Sequence, residues 1–189
     1  IKKKELKMKI DIKENFLPDD KFKEIRDTLF SEAFCWYLAH DVVSADSKFG
    51  ATCEEIYNWQ FVHNFYVSPA TLSQEINTMN PIMEILDPRL LIRIKANLTP
   101  RADKIVEHGF HRDVEPPISG ATTSILYLNT NNGYTAFKDG TKVPSVANTF
   151  ISFPSDMKHT GSTCTDEKFR GLINFNYIRN KKERIKSDK

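Results

Sequence analysis

At Leu90 the apolar residues change their spacing, and no other feature of the chain constrains its fold as strongly. From there Leu90, Ile92, Ile94, Ala96 and Leu98 alternate with Arg93, Lys95 and Asn97, the period of two expected of a half-buried strand. Before Leu90 the period is helical. Phe22, Ile25, Leu29 and Phe30 share one face, which predicts an amphipathic helix starting at Asp19-Asp20 and ending near Phe34-Cys35-Trp36. Ser68-Pro69 reads as an N-cap with proline in the first helical position, and Leu72, Ile76 and Met79 continue that stripe. Asn80-Pro81 opens a further helix to about Leu86.

Met8, Ile10 and Ile12 alternate as a short strand would; 44–52 is polar and reads as a loop, and the aromatic-rich 57–67 fits either strand or ordered loop. Downstream, strand-like runs cover 122–128, 135–137, 145–153 and 171–178. Turn signals separate them at Asn131-Asn132-Gly133, Lys138-Asp139-Gly140 and Gly161-Ser162. Helices followed by short strands with tight turns predict an α+β chain whose C-terminal half is a sandwich or jelly roll.

The 189 residues fit one domain, with no repeat or linker to divide them, and 40% hydrophobic residues with 13 Phe suffice for a core. No apolar run is long enough to span a bilayer as a helix. Lysine and arginine concentrate in 1–10 and 179–189, leaving an acidic body. A duplex-binding groove needs the opposite sign, so nucleic acid and membrane are not expected partners. Cys35, Cys53 and Cys164 form no Cys-x-x-Cys pair, and no apolar h-region follows the Lys-rich start. A reducing, cytoplasmic location is expected, the host's cytoplasm if the source is viral.

His111-Arg112-Asp113 places an imidazole and a carboxylate two residues apart, on one face if the segment is a strand. Such a triplet arises by chance roughly 0.3 times in a chain of this composition, so a third ligand is needed. His159, 46 residues after Asp113, follows the apolar run Phe150 to Pro154 and is the candidate, although alone it reads as a loop histidine. Two imidazoles and one carboxylate on one face of a metal leave the other face open, as in non-haem Fe(II) oxygenases. Arg170, 11 residues later, opens a strand where a guanidinium at the mouth of a small barrel can grip a dicarboxylate. Its plainer reading is a surface ion pair.

The order His111-x-Asp113, His159, Arg170 resembles the 2-oxoglutarate and Fe(II)-dependent dioxygenases. Within them the likeness is to the prolyl 4-hydroxylase-like branch, including compact phage and marine microbial members. Ile125-Leu126-Tyr127-Leu128-Asn129, Gly133-Tyr134-Thr135-Ala136-Phe137 and the stretch from Phe153-Pro154 to His159-Thr160-Gly161 carry it. The resemblance implies a double-stranded β-helix (jelly roll) over about 89–178, N-terminal supporting helices over about 13–88 and a basic tail at 179–189. It implies His111, Asp113 and His159 as iron ligands, with Arg170 and Tyr127 on the distal carboxylate of 2-oxoglutarate. Alternation from Arg170 puts Leu172, Asn174 and Asn176 on the inward face, so Asn174 is expected to reach the cosubstrate, as is Asn97 on the polar face of the strand before the motif. The implied activity consumes O2 and 2-oxoglutarate, releases succinate and CO2, and hydroxylates a small-molecule or peptide substrate, peptidyl proline among the candidates. The segments 44–63 and 114–120 would select it.

The chain departs from the family where many members carry Ser or Thr two residues after the basic anchor; here that residue is Leu172. Collagen-type prolyl hydroxylases usually anchor with Lys, so proline specificity does not transfer. Two other classes fit the ligands alone: a non-catalytic jelly-roll module, and a zinc-type hydrolase. His40 and His63 read as structural or surface residues, and His108 would face away from His111 in an ideal strand.

Overall fold

A computed structural model describes residues 10–43 and 50–180; Met8 and most of the expected 44–52 loop and basic tail lie outside them. Strand β1 (Asp11–Lys13) precedes helix α1 (Asp19–Leu29), and β2 (Tyr37–Ala39), β3 (Gln60–Val67), β4 (Thr71–Leu72) and helix α2 (Asn80–Leu86) follow. Then come β5 (Pro88–Pro100), β6 (Ala121–Tyr127), β7 (Tyr134–Phe137), β8 (Lys142–Pro144), β9 (Phe150–Pro154), β10 (His159–Gly161) and β11 (Phe169–Arg179).

The strands form two antiparallel sheets, one ordered β1-β9-β6-β11-β5-β3-β2 with β4 beside β3, the other β10-β7-β8. Alternation assigns each face of the large sheet a task. Ile94 and Ala96 of β5, Leu126 of β6, and Ile173, Phe175 and Tyr177 of β11 pack with Phe22, Ile25 and Leu29 of α1 and Ile82 of α2 in one core. The opposite face packs on the small sheet, joining Ile125, Tyr127 and Leu172 to Phe137, Val143 and Met157 in a second core. This is an α+β jelly roll. Gly171 lets α1 close on the sheet, since a Cβ there would lie 2.9 Å from the Phe30 ring.

Several expectations are corrected. Helix α1 stops at Leu29, where the Trp36 indole donates to the Leu29 carbonyl at 3.0 Å, so the aromatic cluster caps the helix instead of extending it. Ser68 ends a strand, its N–H donating to Ile92 O; the cap is Ser73, whose hydroxyl accepts from the Glu75 N–H ahead of the 3₁₀ turn Gln74–Met79. The 145–153 run is interrupted by Asn148, whose positive φ of 58° suits asparagine and whose side chain bonds both backbone groups of Leu17. Gly161-Ser162 continues β10 into a bridge with Glu107, and the chain bends at 165–168 instead. On β5 the residues Arg93, Lys95, Asn97 and Thr99 do not face solvent; they line the space between the sheets.

Candidate metal centre and its cavity

Gly109 breaks the expected strand at the His-x-Asp motif, with φ at +131° and no room for a Cβ beside Gly50 O, so His111 sits in an isolated bridge and Asp113 in a bend. The bridge does what a strand would have done. The His111 N–H donates to His159 O at 2.9 Å and the His159 N–H returns to His111 O at 3.0 Å, setting the ring centroids 4.9 Å apart. Each ring has its Nδ1 against a backbone carbonyl, Gly109 O at 2.9 Å and Met157 O at 3.5 Å, which leaves the Nε2 lone pairs turned towards Asp113. Those Nε2 atoms lie 3.9 and 3.8 Å from Asp113 Oδ1 and Oδ2, and all three donors fall within 4.8 Å of one another.

The protonation states suit a cation. Burial lowers the His159 pKa to about 4 despite Asp113, so its imidazole is neutral at pH 7. Burial alone would raise the Asp113 carboxyl, but Arg93, then His159 and His111, hold it well below the usual carboxylate range. The Arg93 guanidinium reaches Asp113 Oδ1 at 3.0 Å and donates through Nε to Asn176 Oδ1, also at 3.0 Å. Asn176 Nδ2 in turn donates to Thr123 Oγ1 at 3.0 Å and sits 3.5 Å from Asp113 Oδ2. Two converging Nε2 atoms, that of His159 on a neutral ring, and an anchored carboxylate fit a divalent metal that keeps open positions.

Beside this centre lies a cavity of about 430 Å³, lined by the triad and by Asn97, Thr99, Thr135, Arg170, Leu172 and Asn174 among others. Its polar wall is a ladder between β5 and β11, with Arg93 opposite Asn176, Lys95 opposite Asn174, Asn97 opposite Leu172 and Thr99 opposite Arg170. Arg170 is only 2% exposed, which corrects both the open mouth and the surface pair expected for it. Its Nε donates to Ser145 Oγ at 2.6 Å, its Nη2 to Thr135 Oγ1 at 3.0 Å, and its guanidinium carbon lies 5.5 Å from the Tyr127 ring centroid. Among the described residues no carboxylate pairs with it. A buried guanidinium flanked by hydroxyls and lacking a counterion is suited to an anionic ligand.

Tyr127 is fully buried beside Arg170, its hydroxyl donating to Thr135 Oγ1 at 2.8 Å. Asn97 and Asn174 both reach the cavity, and Asn174 Oδ1 is buried without a hydrogen-bond partner. His108 also lines it, because the irregular backbone turns the ring inward; Nδ1 meets Gly161 O at 3.1 Å, and burial lowers its pKa to about 4. His63 is structural, held between Cys35 O and Ser73 Oγ. Sequence reasoning missed Arg93, Lys95, Thr135 and Ser145; Asn176 was placed on the inward face by alternation from Arg170 but given no role. Arg93 and Lys95 could have been found by carrying the alternation of Asn97 outward along β5.

No family model matches the chain, and no curated protein matches it in sequence. Solved structures do. A prolyl-4-hydroxylase from Pseudomonas putida superposes with a TM-score of 0.54 at 15% identity, covering 92% of this chain and 94% of its own. A Trichoplax adhaerens prolyl hydroxylase, solved in complex with a hypoxia inducible factor peptide fragment, gives 0.59 at 12% identity over 90% of this chain and 83% of that one. HygX from Streptomyces hygroscopicus, with nickel and 2-oxoglutarate bound, gives 0.55 at 11% identity over 92% and 84%. The chain shares the jelly-roll fold of these structures. At these identities the likeness fixes the architecture, and the reading of the chemistry rests on this chain's own side chains.

Proposed function

We propose that this protein is a non-haem Fe(II) and 2-oxoglutarate-dependent dioxygenase, organised as one domain, that hydroxylates a small-molecule or peptide substrate. The observation that carries the reading is Arg170: a buried, uncompensated guanidinium opening onto the same cavity as a His-Asp-His triad. Water activation at zinc does not require that cation, and a non-catalytic module does not require the triad. His111, Asp113 and His159 would hold the metal, and Arg170 with Thr135 and Tyr127 would take the distal carboxylate of the keto acid. Asn97 and, through its Nδ2, Asn174 would contact it further along the ladder, which leaves Asn174 Oδ1 unused.

Bound iron would supply oxidation of a C–H bond by O2, coupled to conversion of 2-oxoglutarate to succinate and CO2. The chain supplies placement. Arg93 and Asn176 keep the Asp113 carboxylate ionised and oriented, and the backbone carbonyls on each Nδ1 keep both Nε2 lone pairs available. Ile125 and Leu172 present apolar surface to the cavity and limit water there. Peptidyl proline remains one substrate candidate; Gln60 and Glu115, which belong to the two segments expected to select substrate, both line the cavity. The free thiols Cys35, Cys53 and Cys164 fit a reducing cytoplasm.

The test is to add Fe(II) and 2-oxoglutarate without oxygen and look for the weak visible charge-transfer band, then admit oxygen and measure succinate. Band and succinate are both expected. Turnover of an ester or amide with zinc alone, and no band with iron, would overturn the reading.

A further inference from the structure

The cavity contains one cation more than its ligands and cosubstrate employ. Arg93 is paired with Asp113, Arg112 donates to Glu115 at 3.0 Å, and Arg170 is assigned to the keto acid. Lys95 lines the same cavity and, among the described residues, makes no hydrogen bond or ion pair. Burial lowers its pKa to about 8, with Arg93 adding to the effect and Asp113 opposing it, so it is still mostly protonated at neutral pH. Opposite it on β11 stands Asn174, whose Oδ1 is an acceptor with nothing to accept. The two positions therefore present, side by side, a positive charge and an unused hydrogen-bond acceptor. An α-amino acid carries the complement on adjacent atoms, a carboxylate and an N–H.

We propose that Lys95 and Asn174 form the substrate's recognition site, and that the substrate is a free amino acid whose carboxylate pairs with the Lys95 ammonium while its amino group donates to Asn174 Oδ1. The inference rests on the dioxygenase reading for the cavity's other occupant. It also fits the space, since about 430 Å³ accommodates a five-carbon keto acid and one further small molecule. Lys95 stands one rung from Arg93, which itself holds the metal-ligand carboxylate. A molecule anchored there lies next to the triad.

The experiment uses oxygen-free protein loaded with Fe(II) and saturating 2-oxoglutarate, titrated calorimetrically with the twenty L-amino acids and their carboxamides. At least one amino acid should bind and perturb the visible band, and its carboxamide should bind about ten- to a hundredfold more weakly, the loss expected when a charged partner is left unpaired. Lys95→Met should erase that gap and Lys95→Arg should restore part of it, with a thermal melt confirming that each variant is folded. Binding by no amino acid, equal binding of acid and amide, or a preference that survives in Lys95→Met would each overturn the proposal. Failure of the underlying reading looks different: no charge-transfer band in the unmodified protein before any amino acid is added.

Discussion

Replacing Gly133 by alanine should displace Arg170 without removing any of its hydrogen-bonding partners. A Cβ at this position would lie 2.8 Å from three atoms at once: Arg170 Cδ, Asn131 Oδ1 and the Thr163 carbonyl oxygen. The carbonyl is backbone and cannot step aside, so the strain falls on the Arg170 stem. Overpacking of this kind costs about 1–3 kcal/mol. For a chain of this size that corresponds to a fall in Tm of roughly 2–12 °C. The functional effect should be larger in proportion, because a shift of about 1 Å in a positioning group can cost on the order of a hundredfold. Gly161→Ala is the milder comparison: its Cβ would meet only Arg170 Nη1, at 3.2 Å, a contact that a shift of a few tenths of an ångström relieves. Differential scanning calorimetry and a 2-oxoglutarate titration of both variants separate the cases. A Gly133→Ala protein with unchanged Tm and unchanged 2-oxoglutarate affinity would refute the account of how Arg170 is held.

Three further outcomes are expected. His159→Ala or Asp113→Ala should abolish stoichiometric Co(II) or Fe(II) binding in equilibrium dialysis, and full occupancy in either would remove that residue from the ligand set. Arg93→Gln strips the countercharge from a carboxylate only 5% exposed; it should destabilise the metal-free protein by about 3 kcal/mol, the low end for a broken buried pair, in chemical denaturation. Stability of the metal-free protein should fall as pH drops from about 6.5 to about 4, because the unfolded chain takes up protons on His108 and His159 there and the folded one, with both pKa values at about 4, does not. Denaturation curves that are flat across that window would contradict the buried, neutral state of the two rings.

The candidate metal ligands were legible because their side-chain types and chain order survive any local backbone error. The motif was expected on a strand and sits on a bridge after Gly109, yet His111 and Asp113 still converge. What surrounds them was less legible. Arg93 and Lys95 read as a polar solvent face, though Asn97 beside them was expected to reach the cosubstrate, because alternation distinguishes two faces without saying which one water touches. Only the pairing of β5 with β11, and the second sheet over both, reveals that this polar row points inward. Ser145 carried no signal, and Thr135, although inside a segment that carries the family likeness, pointed to no role of its own; serine and threonine are common in strands and turns, and their value here comes from a guanidinium reaching them from a strand 25 and 35 residues away.

The ladder between β5 and β11 lies in the interior of an eight-stranded sheet, hydrogen-bonded along both edges of each strand. The two imidazoles, by contrast, hang from a three-residue strand at the rim of the smaller sheet and from the irregular segment bridged to it. Amide exchange should accordingly be slowest behind Lys95 and Asn174 and faster behind His111. One wall of the pocket is thus a stiff template, and the other is compliant enough to adjust around whatever is placed against it. Side chains on the stiff wall could be exchanged in pairs across the rungs, retuning what the pocket admits while the opposite wall keeps His111 and His159 together.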